Sequence, residues 1–122
     1  MAFIQIIECH TSRVDELLAM ETEWEQATEG SRTLRRSIIT QDRNDPSRYL
    51  VLAFFDSFEA AMENSQLHET QASAQRQTAL MDGPVVFHDL DVIDDRPSAG
   101  ERRCHHAPLA SVMWPAGPRS NG

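Results

Sequence analysis

The chain has 122 residues, 40% of them hydrophobic and 25% charged, which suits one domain with a modest core. No apolar run approaches the about 20 residues that a membrane helix needs, so no membrane partner is expected. Residues 1–94 hold 7 arginines against 17 acids and residues 95–122 hold 4 against 2, giving a net charge of −8 with no lysine. An acidic body of this kind repels phosphate backbones and excludes nucleic acid as the main partner.

The opening "MAFIQIIECH" lacks a basic segment followed by an apolar one, so no signal peptide is expected. Cys9 and Cys104 lie far apart, and a disulfide between them is not expected in a reducing compartment. The default expectation is a cytoplasmic protein. "AFIQIIE" (2–8) predicts a strand with apolar residues on both faces. Thr11 or Ser12 can then cap a helix in which Val14, Leu17, Leu18, Trp24 and Ala27 fall near one stripe, with Gly30 as its stop. Trp24 reads as a core or interface anchor.

"TLRRSIITQ" (33–41) and "RYLVLAFFD" (48–56) predict a hairpin. The segment between them is rich in turn formers and too long for a tight two-residue loop. Along the second strand Leu50, Leu52 and Phe54 alternate with Tyr49, Val51, Ala53 and Phe55, so both faces are expected to be covered. Ser57 can cap the next helix, which breaks near Leu67–Glu69, resumes, and ends at Asp82-Gly83-Pro84. "VVFHDLDVI" (85–93) predicts the last strand.

The order β-α-β-β-α-β within residues 1–94 predicts an α+β, ferredoxin-like domain with two helical regions on one face of an antiparallel sheet. The other face would remain apolar, and an apolar sheet face of that size predicts a homodimer. Residues 95–122 lack periodicity and read as an irregular tail, in which "PLASVMWP" has enough apolar surface to clamp onto the body or a partner subunit.

Several side chains are candidates for chemistry. Alternation puts Phe87, Asp89 and Asp91 on one face of the last strand and Val86, His88 and Leu90 on the other. The second set is the more apolar and is expected under the helices, with His88 as a structural group. Asp89 and Asp91 are then expected to face the dimer, about 7 Å apart. There they either pair with Arg35 or Arg36 or raise each other's pKa and supply a proton acceptor. Asn64 and His68, at i and i+4, can share a helix face: His68 as a base for a phenolic proton, Asn64 as a donor to the resulting oxyanion. The alternative for both is a solvated helix surface. Tyr49, Phe54, Phe55, Phe58 and Phe87 are either an aromatic pocket or ordinary core. Cys104-His105-His106 is a weak metal signal, because three adjacent residues do not converge easily on one ion.

"FFDSFEAAMENSQLHET" and "DGPVVFHDLDVI", in this segment order, resemble the antibiotic-biosynthesis-monooxygenase-like branch of the dimeric α/β-barrel superfamily, over residues 1–93. The resemblance implies a homodimer whose subunits each hold a hydrophobic, often aromatic small molecule between sheet and helices. Members of the superfamily oxidise polyketide phenols to quinones without metal or flavin, degrade haem, isomerise lactones, decompose chlorite or only bind ligands. The oxygenase branch often ends the third strand with tryptophan and carries a histidine about nine residues later. This chain has Phe55 and Asn64 there, a departure that counts against haem and favours binding alone. Two functions therefore stand: an oxygenase that needs no cofactor and acts on a hydrophobic aromatic or polyketide-type molecule, and a dimeric binding module without catalysis.

Overall fold

A computed structural model describes residues 1–98. The elements are β1 (Phe3–His10), α1 (Val14–Ala27), β2 (Arg36–Asp42), β3 (Asp45–Phe55), α2 (Phe58–Ser65), α3 (His68–Thr78) and β4 (Val86–Asp91). They form a four-stranded sheet in the order β2-β3-β1-β4, with every neighbouring pair antiparallel. This is the expected ferredoxin-like α+β arrangement, with its second helical region split in two. Among the described residues no helix is long and apolar enough to cross a membrane. The Cys104-His105-His106 cluster, the "PLASVMWP" clamp and most of the tail lie outside the described residues.

Local signals account for most element boundaries. Ser57 Oγ accepts the Ala60 N–H at 3.0 Å and starts α2. Leu67 adopts an extended conformation (φ −64°, ψ 136°) between α2 and α3, which is the expected break. Gly30 follows α1 with φ +88°, a conformation glycine enters without steric cost. Thr11 does not cap α1. Its Oγ1 accepts from Arg13 N at 2.9 Å and donates to Leu80 O at 2.7 Å, tying the start of α1 to the segment after α3.

The β2–β3 connection differs from expectation. Only Arg43 and Asn44 lie between the strands, so the loop is a tight two-residue one, against the expectation of a longer connection. Asp42 Oδ1 accepts the Asn44 N–H at 2.7 Å and closes the turn, and a register shift lies at Gln41/Asp42. Pro46 is accommodated in the first turn-proximal residues of β3, where β1 does not yet pair with it.

Register settles the two faces of the sheet. Phe3 pairs with Phe55 and Ile7 with Val51, so Phe3, Gln5, Ile7 and Cys9 share the helix side with Tyr49, Val51, Ala53 and Phe55. Phe3, Ala53 and Phe55 form the buried centre, with Leu34, Ala60 and Ala61 against it. The Phe58 ring meets Phe3 edge-on at 5.4 Å. Ile4, Ile6, Leu50, Leu52 and Phe54 point to the opposite, uncovered side, each only partly buried.

On β4 the expected faces are reversed. Gln5 pairs with Asp89 and Ile7 with Phe87, so Phe87, Asp89 and Asp91 lie on the helix side. Val86, His88 and Leu90 lie on the open side. Counting apolar residues per face misleads here because β4 is an edge strand whose residues are all exposed. Among the described residues neither aspartate takes an arginine. Asp89 accepts from Gln5 Nε2 at 3.0 Å, Arg35 pairs with Asp56, and Arg36 stacks over the Phe54 ring.

Candidate functional site

The helices do not close completely on the sheet. Between them lies a cavity of about 330 Å³, within the usual size of a small-molecule site. Ile7, Val51, Ala53 and Phe55 make its floor, all by strand alternation on the helix side. Trp24 from α1, Ala61 from α2 and Ala74 from α3 make its walls. Phe87 stands at its rim with 58% of its surface exposed, which places an opening along β4.

Two contacts between cavity-lining residues join α1 to α3, beside the exposed Arg76–Glu23 pair. Trp24 Nε1 donates to Thr70 Oγ1 at 2.9 Å. Gln77 Nε2 donates to Glu21 Oε2 at 3.1 Å. Glu21, Trp24, Thr70 and Gln77 all line the cavity, so these contacts shape the site as well as the helix packing. Arg32 lies over the Trp24 ring, 5.9 Å from its centroid.

Asn64 is buried and lines the cavity. Its Oδ1 accepts the Thr33 N–H at 3.2 Å, which assigns the other end of the amide as the NH2 group. Nδ2 donates to none of the described residues. Among these residues no buried polar side-chain atom lacks a partner, so Nδ2 is accessible and free to donate to an occupant.

Glu21 was not among the candidates read from sequence. It lies on the apolar stripe of α1, four residues after Leu17 and three before Trp24, and that misplaced charge was the available signal. Burial pushes its carboxyl above the ordinary range; Gln77 opposes the shift less than burial drives it, and Glu25 adds to it.

The other candidates fall in different places. Phe55 and Phe87 line the cavity with Asn64. Tyr49 is buried on the same sheet side, but its hydroxyl accepts from Gln41 Nε2 at 3.1 Å and it is not part of the lining. Asp89 and Asp91 share the helix side but lie outside the cavity. His68 opens α3 and is exposed, whereas Asn64 belongs to α2. The extended Leu67 at the expected break ends the i, i+4 relation through which the two were expected to share a face. Haem, against which the sequence already counted, would need an axial histidine; among the described residues His10, His68 and His88 lie outside the lining.

His88 belongs to the open side. It sits 3.3 Å from Glu8, which also takes Arg48 Nε at 3.0 Å, and Arg48 reaches Asp42 at 2.7 Å. The Arg48 guanidinium, and after it His88, hold the Glu8 carboxyl below its ordinary value. The Asn44 N–H and then Arg48 do the same for Asp42.

The sequence matches no protein-family model and no curated protein. Solved structures do match. SnoaB, a cofactor-independent oxygenase from Streptomyces nogalater solved as an asparagine-to-alanine variant, superposes with a TM-score of 0.67 at 10% identity, over 80% of this chain and 98% of its own. A candidate antibiotic biosynthesis monooxygenase from Caulobacter crescentus gives 0.67 at 14% identity, over 76% and 91%. Rv0793 from Mycobacterium tuberculosis gives 0.66 at 13%, over 80% and 100%. At these identities the likeness is one of fold, and the chain has the ferredoxin-like fold shared by these antibiotic-biosynthesis-monooxygenase-type structures.

Proposed function

We propose that the protein is an oxygenase that acts on a hydrophobic aromatic, polyketide-type small molecule and requires no metal or flavin. The observation that carries this reading is the buried Asn64, whose NH2 group is free at the wall of an apolar cavity. An aromatic ligand would lie on Val51, Ala53 and Phe55, with an oxygen substituent accepting from Asn64 Nδ2. As that oxygen gains negative charge, the amide donor strengthens its hold, which lowers the barrier to forming the anion. The anion then reacts with dioxygen. In balance, a ring methylene and O2 give a ring carbonyl and one water, so no external reductant is needed.

The fold of SnoaB, named as a cofactor-independent oxygenase, supports the reaction class. His68 is exposed on the far side of the helix break, so it does not supply the base in this reading. The protein is also proposed to work as a homodimer. Ile4, Ile6, Leu50, Leu52 and Phe54 form a continuous apolar strip on the open side, and a second copy of the sheet would cover it.

The test is oxygen uptake with anthrone as the probe, in buffer treated with a chelator. Turnover to the quinone is expected, with Asn64→Ala lowering kcat by about 100-fold, the usual loss for one oxyanion donor. Tight binding of the probe with no oxygen uptake would instead establish a binding module, the reading that the Phe55 and Asn64 departures favour.

A further inference from the structure

We propose that Glu21 is the proton acceptor of the cavity, taking the proton of a hydroxyl or acidic C–H on the bound ligand through Oε1, so that the site selects hydroxylated aromatics. The proposal rests on the aromatic occupant argued above. It begins from a half-buried carboxyl on the lining of an otherwise largely apolar chamber. Its Oε2 takes the Gln77 amide at 3.1 Å. Oε1 takes no hydrogen bond from the described residues, and it is not sealed, because no buried polar side-chain atom among them lacks a partner.

The groups facing Glu21 leave the carboxylate uncompensated. On its own helix stands Glu25, a like charge. From α3 comes Gln77, a neutral amide. From the sheet come Gln5 and Ser37, also neutral. Arg32, Arg35 and Arg36 line a neighbouring groove that Glu21 also borders, but Arg32 donates to the Glu25 carbonyl, Arg35 pairs with Asp56, and Arg36 stacks over Phe54. None of the three bonds to Glu21. A carboxylate without a cation is a better proton acceptor than a paired one, and burial raises its proton affinity further.

The chemistry balances. The ligand proton passes to Oε1 and the electron pair stays on the ligand as a phenolate or carbanion. Dioxygen adds at the ring carbon, and the peroxide oxygen takes the proton back from Glu21. Loss of the remaining C–H proton and the O–O bond then releases water and leaves the carbonyl. Glu21 ends as it began. Asn64 holds the oxyanion from a different wall, so the two groups divide the roles of acceptor and donor.

The experiment compares 2-naphthol with 2-methoxynaphthalene, which has the same ring system but no proton to give. Binding is followed by fluorescence from pH 5 to 8, a range in which 2-naphthol itself stays neutral, for the wild type, Glu21→Gln and Glu21→Asp. The wild type is expected to prefer 2-naphthol by about 10-fold at the upper end, as a hydrogen bond to a charged acceptor gives. That preference should fade as the pH falls and Glu21 takes up a proton. Glu21→Gln should lose the pH dependence, and Glu21→Asp should keep it. A preference that is absent, or unchanged by Glu21→Gln, overturns the proposal, as does failure of both probes to bind. A Glu21-dependent preference without oxygen uptake from anthrone retains the acceptor and removes the oxygenase. Oxygen uptake that survives Glu21→Gln does the reverse.

Discussion

The two sides of the sheet carry polar groups in opposite conditions. On the open side Glu8, Arg48, Asp42 and His88 bind one another in a chain of contacts of 2.7 to 3.3 Å. On the helix side Glu21 and Asn64 each have one neutral partner and one unused atom. The strands supply both sides by the same alternation, yet only one side leaves hydrogen-bonding capacity available beside an apolar chamber. Saturated networks hold structure, whereas groups buried with spare capacity are the ones a ligand can complete. The open side is thus read as an assembly surface and the helix side as the site.

The largest effect should come from breaking the open side. Leu52 lies centrally on it, paired across the strands with Ile6 and Ile38. Leu52→Asp would place a charge in the middle of the proposed subunit interface, where it would lose its hydration without a partner. Light scattering should show the mass fall from dimer to monomer. A dimer that survives would assign subunit contact to another surface.

Neighbouring phenylalanines make a finer comparison, since Phe54 points to the open side and Phe55 to the helix side. Phe55 is buried at 6% exposure and packs 6.4 Å from Phe3. Phe55→Ala should cost about 3–5 kcal/mol in denaturant unfolding, whatever the protein concentration. The cost of Phe54→Ala should depend on concentration if a second copy covers that ring. Equal costs with no concentration dependence would mean that the open side is not a subunit contact.

What could be read from the chain follows the same division. Element order was legible because most boundaries have a local cause, such as Ser57 before α2, Gly30 after α1 and the break at Leu67. The orientation of β4 was not. His88 and Asp89 alternate in either orientation, and only the pairing of Asp89 with Gln5, 84 residues away, decides which faces the helices. Asn64 could be picked from sequence, but the i, i+4 spacing that put His68 on its face does not survive the extended Leu67 between α2 and α3, even though the break itself was legible. Glu21 was legible in principle, as a carboxylate between Leu17 and Trp24. It was passed over because acids are common on solvated helix faces, and burial becomes visible only once α3 is packed against α1.

The smallest effect tests the comparison by its sign. Glu8 and Asp42 are held below their ordinary values of 4.5 and 3.8 by the partners described above. The unfolded chain therefore takes up their protons first as the pH falls. The stability they contribute is complete above the ordinary range and is lost as the pH drops through their folded values. Glu21 is shifted upward, so the folded state keeps its proton to a higher pH than the unfolded chain does. Its contribution is complete below 4.5 and is lost as the pH rises through its folded value. Arg48→Met should accordingly melt below the wild type at pH 7.5, with the gap narrowing toward pH 3. Glu21→Gln should melt above the wild type at pH 7.5, with the gap closing by pH 4. Two lowered melting temperatures would make Glu21 another structural carboxylate. A variant that is more stable yet has lost the preference for 2-naphthol has the signature of a group held in place at a cost to folding because the site uses it.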